Sequence, residues 1–113
     1  MNIETLELPG CVVLRPGDDL DLLGHISFNE QVDELLRDGK KCLVIDLELV
    51  TCVSSSTARV LLAIQERASN AGGSVALAEL RDGVRTALEV TGALAALQTF
   101  ETVQEAVESM EAA

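Results

Sequence analysis

The sequence predicts an α/β fold, a single domain over residues 1–113 with a mixed β-sheet of about four to five strands and about four α-helices. Short apolar segments alternate with longer segments whose apolar residues recur at helical spacing. Glycine and proline separate many of these segments. A chain of 113 residues is the size of one domain with its own core. Alternation of strands and helices predicts parallel pairing in the middle of the sheet.

The first two predicted strands form an antiparallel pair. Residues 3–8 and 11–15 have extended character, and Pro9-Gly10 between them is typical of a turn. A first helix is predicted to begin at Ser27, because Glu30 follows at the spacing of a capping box. Gly39 is expected to end this helix.

The most apolar segment, residues 42–47, predicts a central strand that is covered on both faces. A second helix is expected to start within residues 54–57, where hydroxyl groups can accept bonds from the first N–H groups of a helix. Gly72-Gly73 is expected to end this second helix. The predicted order is then completed by a strand over 74–80, a helix over about 82–91, a short strand over 96–100 and a final helix capped by Thr102.

Charge and hydropathy exclude several classes of function. The net charge is −11 and there is no basic run, so nucleic acid is not expected as a partner. The acidic excess fits either a partner with a basic surface or a simple contribution to solubility. No signal peptide is recognisable, and no apolar run approaches the roughly 20 residues of a membrane span, so a cytoplasmic location without membrane insertion is expected.

The chain offers few groups for metal or redox chemistry. Cys11, Cys42 and Cys52 lie singly in apolar segments without C-x-x-C spacing, which predicts buried, reduced thiols in preference to the alternative of a metal or redox role. His25 is the only histidine, and no nucleophile partner for it is evident. The Gly-rich patterns that bind phosphate are absent from the sequence. We therefore expect no cofactor, no metal site and no enzymatic activity.

The acidic residues at 18–21, together with Asp46, are also compatible with the acidic pocket of a phosphate-accepting receiver domain. Such a domain requires its acceptor at the carboxyl end of a strand and a lysine after a later strand. Asp46 is followed by another apolar residue, and no lysine occurs after Lys41. A solvated acidic turn is the ordinary interpretation of residues 18–21.

Four consecutive hydroxyl residues, Ser54 to Thr57, lie where the predicted central strand leads into the second helix. A helix N-terminus tolerates a phosphate, because its N–H groups are unpaired and the helix dipole is positive there. The ordinary role of such residues is to cap the helix, which needs one hydroxyl. Both interpretations remain open at this point.

Several segments together resemble the STAS domain of bacterial anti-sigma factor antagonists. The resemblance extends over about residues 12–110 and rests on these segments: Gly17 to Leu20, Leu43 to Leu47, Val50, Cys52 to Thr57, Val60 to Leu62, Gly72-Gly73, Thr91-Gly92 and Phe100 to Thr102. The order of strands and helices in that family agrees with the order derived above from periodicity.

The resemblance implies a partner switch. The unphosphorylated domain would bind an anti-sigma factor that is also a serine kinase, and phosphorylation of Ser55 would end the complex. Ser56 is a second candidate acceptor, and the kinase would supply ATP and Mg²⁺. The expected partner-binding residues are Asp18, Asp19, Ser54, Ser55, Ser56, Thr57 and Arg59.

Two positions differ from the family pattern, which has Asp before the phosphorylated serine and Gly after the next residue. Here these positions are Ser54 and Thr57. An alternative is therefore a STAS-like accessory subunit, such as those of lipid-transport ABC complexes. In that case the same helix would dock constitutively on its partner, and the serines would serve only as a cap.

Overall fold

The computed structural model describes residues 3–17 and 22–112 of the chain. Within these residues five strands and five helices follow one another: β1 (Ile3–Leu8), β2 (Cys11–Pro16), α1 (Leu22–Arg37), β3 (Cys42–Asp46), α2 (Ser55–Asn70), β4 (Ser74–Ala78), α3 (Asp82–Val90), α4 (Ala93–Ala96), β5 (Gln98–Phe100) and α5 (Val103–Ala112).

The strands form one mixed sheet in the order β1-β2-β3-β4-β5. β1 pairs with β2 in antiparallel orientation, and the other three pairings are parallel. The predicted α/β class and the predicted antiparallel opening pair are thus confirmed. Because β2, β3, β4 and β5 run parallel to one another, their carboxyl ends lie along one edge of the sheet. The turn from β3 into α2 belongs to this edge.

The helices cover the two faces unequally. Alternate residues of the central strands pack with buried residues of α1, α2, α3 and α4, among them Phe28, Leu61 and Leu88. The intervening strand residues, such as Val44 and Ala76, pack with α5 on the opposite face. Right-handed crossovers that all advance in the same direction put their helices on one side, so α5, which follows the last strand, is left to cover the other.

Several predicted boundaries differ from the structure. α1 begins at Leu22 and includes Ser27, so the predicted capping box at Ser27 and Glu30 is wrong. β3 ends at Asp46 instead of residue 47, and β4 ends at Ala78 instead of residue 80. The backbone leaves β4 at Glu79, whose φ of 60° is left-handed.

The last strand was predicted over residues 96–100, whereas β5 covers Gln98–Phe100 and residue 96 ends the short helix α4. With α4 the described helices number five, where about four were predicted. The predicted cap of α5 is confirmed, since the Glu105 N–H donates to Thr102 Oγ1 at 3.1 Å. Across the described ranges, no helix has the length and apolar character required to cross a membrane.

Candidate functional site

The turn between β3 and α2 begins the second helix with a side-chain cap. Ser54 is the N-cap residue, in an extended conformation with φ of −85° and ψ of 170°. Its Oγ accepts a bond from the Thr57 N–H at 3.2 Å and lies 3.2 Å from Thr57 Oγ1. Ser54 therefore provides the capping function that an aspartate would provide at the same position. The difference from the family pattern leaves the helix start intact.

The two serines that follow the cap are on the surface. Ser55 and Ser56 are the first residues of α2, and both are exposed. No acidic residue occurs in the first turn, so the positive end of the helix dipole has no side-chain carboxylate within this turn. The hydroxyls of Ser55 and Ser56 are thus accessible in a place that favours an added negative charge.

The remaining predicted contact residues are placed differently. Arg59 is exposed and lies four residues after Ser55, which puts the two on one side of the helix. Thr57 is only 2% exposed, so it supports the turn from within and offers little surface to a partner. Asp18 and Asp19 lie outside the described residues. The structure thus brings together Ser54, Ser55, Ser56 and Arg59 on one accessible helix start.

The loop that leads to this helix is fixed from two sides. The Leu47 N–H donates to the Ala78 carbonyl at 2.9 Å, which extends the contact between β3 and β4 beyond the last strand residue. Arg81 Nε donates to the Glu48 carbonyl oxygen at 2.8 Å. Val50 is fully buried, whereas Leu49 is 36% exposed. These contacts give the Ser54 cap a defined position relative to the sheet.

Arg81 was not identified from the sequence. It is 33 residues from Glu48, and it bonds a backbone oxygen that has no sequence signature. Leu49 was also missed, since an exposed leucine in a loop has no periodic pattern. The prediction for Cys52 was wrong, because Cys52 is exposed whereas Cys11 is buried and Cys42 is half-buried. Cys52 lies in the turn after β3 has ended, so the alternation of buried and exposed side chains along a strand does not apply to it.

A carboxylate lies at the end of β3, on the same edge of the sheet as the turn. Asp46 is 6% exposed, and its Oδ1 accepts a bond from the Glu48 N–H at 2.9 Å. Arg15 Nε is 3.8 Å from Asp46 Oδ2, and the same guanidinium lies 3.6 Å from Glu48 and 3.9 Å from Glu4. Among the described residues, no group of His, Cys, Asp and Glu side chains could hold a metal ion.

Burial raises the pKa of the Asp46 carboxyl above its ordinary value, although the Glu48 N–H and the Arg15 guanidinium act in the opposite direction. A raised pKa in the folded state means that the folded protein binds this proton more tightly than the unfolded chain. The contribution of Asp46 to stability therefore increases as pH falls through the raised pKa toward the ordinary value of about 3.9.

We expect Asp46→Asn to remove this pH dependence. The measurement is the free energy of unfolding of both proteins by urea titration between about pH 7.5 and pH 4.5. The parent should gain stability relative to the variant as pH falls, and the carboxylates common to both proteins cancel in the difference. A parent that loses stability relative to Asp46→Asn on acidification would contradict the raised pKa.

Comparison with known proteins supports the resemblance seen in the sequence. A family model described as the STAS domain matches residues 2–106. A relative in Thermotoga neapolitana, whose name describes it as a TM1081 homolog of the anti-sigma factor antagonist type, is 27% identical over 101 residues, covering 88% of this chain and 89% of the relative.

Two solved proteins show the same fold. The crystal structure of TM1081 from Thermotoga maritima has a TM-score of 0.89 at 24% identity, over 96% of this chain and 94% of that one. The anti-sigma factor antagonist SpoIIAA in its unphosphorylated form has a TM-score of 0.84 at 15% identity, over 99% of this chain and 98% of that one. The phosphorylated form of SpoIIAA from Bacillus matches with a TM-score of 0.74 at 15% identity, over 96% and 98% of the two chains.

Proposed function

Because the chain belongs to the STAS-domain family, we propose that it acts as an anti-sigma factor antagonist in a partner switch. In the unphosphorylated state it binds an anti-sigma factor of the serine-kinase type. The kinase then transfers a phosphoryl group from its own ATP and Mg²⁺ to Ser55, and the complex separates. In this proposal the chain is the substrate of the kinase and carries out no chemistry itself.

The observation that carries the proposal is the exposed Ser55 hydroxyl at the start of a helix whose cap is made by the preceding residue. Because Ser54 bonds the Thr57 N–H, it fixes the backbone on which Ser55 lies. A kinase can therefore reach the Ser55 hydroxyl without unfolding the helix. The names of the similar proteins support this role, since SpoIIAA has been solved with and without phosphate.

A phosphate on Ser55 would act differently on the fold and on the complex. Phosphoserine carries roughly −1.5 to −2 charges at pH 7. The first turn of α2 has no acidic residue, so the helix dipole stabilises this charge. The phosphate is also within reach of Arg59, four residues later on the same side of the helix.

Within the complex the same charge is unfavourable. It would be buried against the surface that the neutral serine had contacted, on a chain that already has a net charge of −11. Arg59, once paired with the phosphate, would also be less available to the partner. Phosphorylation thus stabilises the free domain locally and weakens the contact, which is what a release step requires.

The test is to map the phosphate. The chain is incubated with the anti-sigma factor kinase of its own organism, ATP and Mg²⁺, and the modified residue is identified by mass spectrometry in the parent, Ser55→Ala and Ser56→Ala. We expect one phosphate at Ser55 in the parent and in Ser56→Ala, and none in Ser55→Ala. Complexes of the parent should separate on addition of ATP, whereas complexes of Ser55→Ala should persist.

Ser56→Ala is the matched control for Ser55→Ala. It is needed because Ser56 is also exposed and is only one residue away from Ser55. Phosphate found at Ser56 in place of Ser55 would move the acceptor by one position. A complex that stays intact in ATP with no phosphate on either serine would refute the switch. That outcome would support the alternative of an accessory subunit that docks constitutively, as in a lipid-transport ABC complex.

A further inference from the structure

Two thiols lie side by side on neighbouring strands of the sheet. Cys11 begins β2 and Cys42 begins β3, and each directly precedes a residue of the parallel pair Val12 and Leu43. Neighbouring strands are about 4.8 Å apart, and paired residues of parallel strands point to the same face. The register therefore juxtaposes two cysteines that are separated by 31 positions in the chain.

The surroundings of the two thiols agree with this register. Cys11 is 4% exposed and belongs to the cluster under α5, and Cys42 packs against the same cluster. Both residues line a surface groove of about 280 Å³, together with Leu8, Lys40 and Lys41. Cys42 is half-buried. A small solute that enters this groove can thus reach the Cys42 thiol, and the more deeply buried Cys11 thiol lies beside it.

We propose that Cys11 and Cys42 form a dithiol site that a hydroperoxide oxidises to an intramolecular disulfide. In the first step the Cys42 sulfur attacks one oxygen of hydrogen peroxide, the O–O bond breaks, and a sulfenic acid and one water form. In the second step the Cys11 sulfur displaces the sulfenic oxygen, which leaves as a second water. The two thiols lose two electrons and two protons in total, and the peroxide accepts them.

The spacing of the two strands permits this disulfide at the cost of a local adjustment. Disulfides usually join Cα atoms 4.4–6.8 Å apart, and the strand spacing falls within that range. Cβ atoms must approach to roughly 3.8 Å, however, which requires the two strands to adjust locally. A disulfide with such strain is readily reduced. The site is therefore suited to a reversible response to peroxide and not to permanent cross-linking.

The exposed Cys52 makes a variant necessary for a clear test. In Cys52→Ala, limited hydrogen peroxide at low protein concentration should lower the thiol count from about two to near zero per chain and the mass by about 2 Da. The product should run as a monomer without reductant, and dithiothreitol should restore both thiols. The unmodified chain gives an independent result, because cleavage after Glu48 separates the peptide of Cys42 from that of Cys52.

The controls remove one partner at a time. In the Cys52→Ala background, Cys11→Ala and Cys42→Ala each leave one thiol, and neither should lose about 2 Da to an internal bond. The proposal is overturned if both thiols of Cys52→Ala survive the treatment, if its chains become linked to one another, or if peptides of the unmodified chain link either residue to Cys52. Peptide mapping of the unmodified chain decides the question even where an alanine variant fails to fold.

Discussion

Gly73→Ala is expected to lower the free energy of unfolding by about 3 kcal/mol, because a β-carbon at this position has no space. It would lie 2.0 Å from the Lys41 carbonyl oxygen and 2.6 Å from the Lys41 carbonyl carbon. These are backbone atoms, so a rotamer change cannot relieve the overlap. The Ser74 N–H donates to the same oxygen at 3.1 Å, so relief of the clash would also disturb the first bond between β3 and β4.

Gly83→Ala is the matched control. Gly83 lies in α3, and its added β-carbon would meet only the Thr51 carbonyl oxygen at 3.7 Å, which is an ordinary contact. Alanine restricts the unfolded chain and favours the helix, so this variant should be as stable as the parent or more stable by about 0.5 kcal/mol. The measurement is the thermal unfolding of both variants. Gly73→Ala should lower Tm by roughly 10–20 °C relative to the parent. Equal Tm values for the two variants would contradict the close approach at Lys41.

Features of the fold that depend on nearby residues were predictable. The apolar run at 42–47 indicated a strand covered on both faces, and β3 is buried on both sides by separate helix layers. The hydroxyl residues after it indicated a helix start, and Ser54 is the cap. Each of these predictions depends on a pattern of residues close in the chain, which composition and periodicity record directly.

Features that depend on distant residues were not predictable. Gly72-Gly73 was interpreted only as the end of a helix, yet Gly73 is needed because Lys41 passes so close to it. The juxtaposition of Cys11 and Cys42 follows from the register of β2 and β3, which no short motif specifies.

The start of α1 was misplaced because Ser27 has the spacing of a cap although it lies inside the helix. The phosphoacceptor itself depends on family resemblance, since an exposed serine alone does not identify a kinase substrate.

Ser55→Asp is expected to change stability and affinity in opposite directions. In the free domain, an aspartate in the first turn of α2 interacts favourably with the helix dipole and should add about 0.3–1 kcal/mol to the free energy of unfolding. In the complex the same charge is desolvated without a partner, so the affinity for the anti-sigma factor kinase, measured without ATP by isothermal titration calorimetry, should fall about tenfold or more. A merely damaged fold would lower both quantities together.

Ser69→Asp provides the control at the other end of the same helix. Ser69 is exposed in the last turn of α2, and 14 residues of helix put it roughly 20 Å from Ser55, beyond the screening length of about 8 Å at physiological salt. It adds the same charge to the chain but should leave the affinity unchanged, and it should lower stability slightly because the dipole is negative there. If Ser55→Asp binds the partner as tightly as the parent and Ser69→Asp do, charge at this turn does not release the partner. If both aspartate variants lose affinity equally, the effect comes from net charge and not from the position of Ser55.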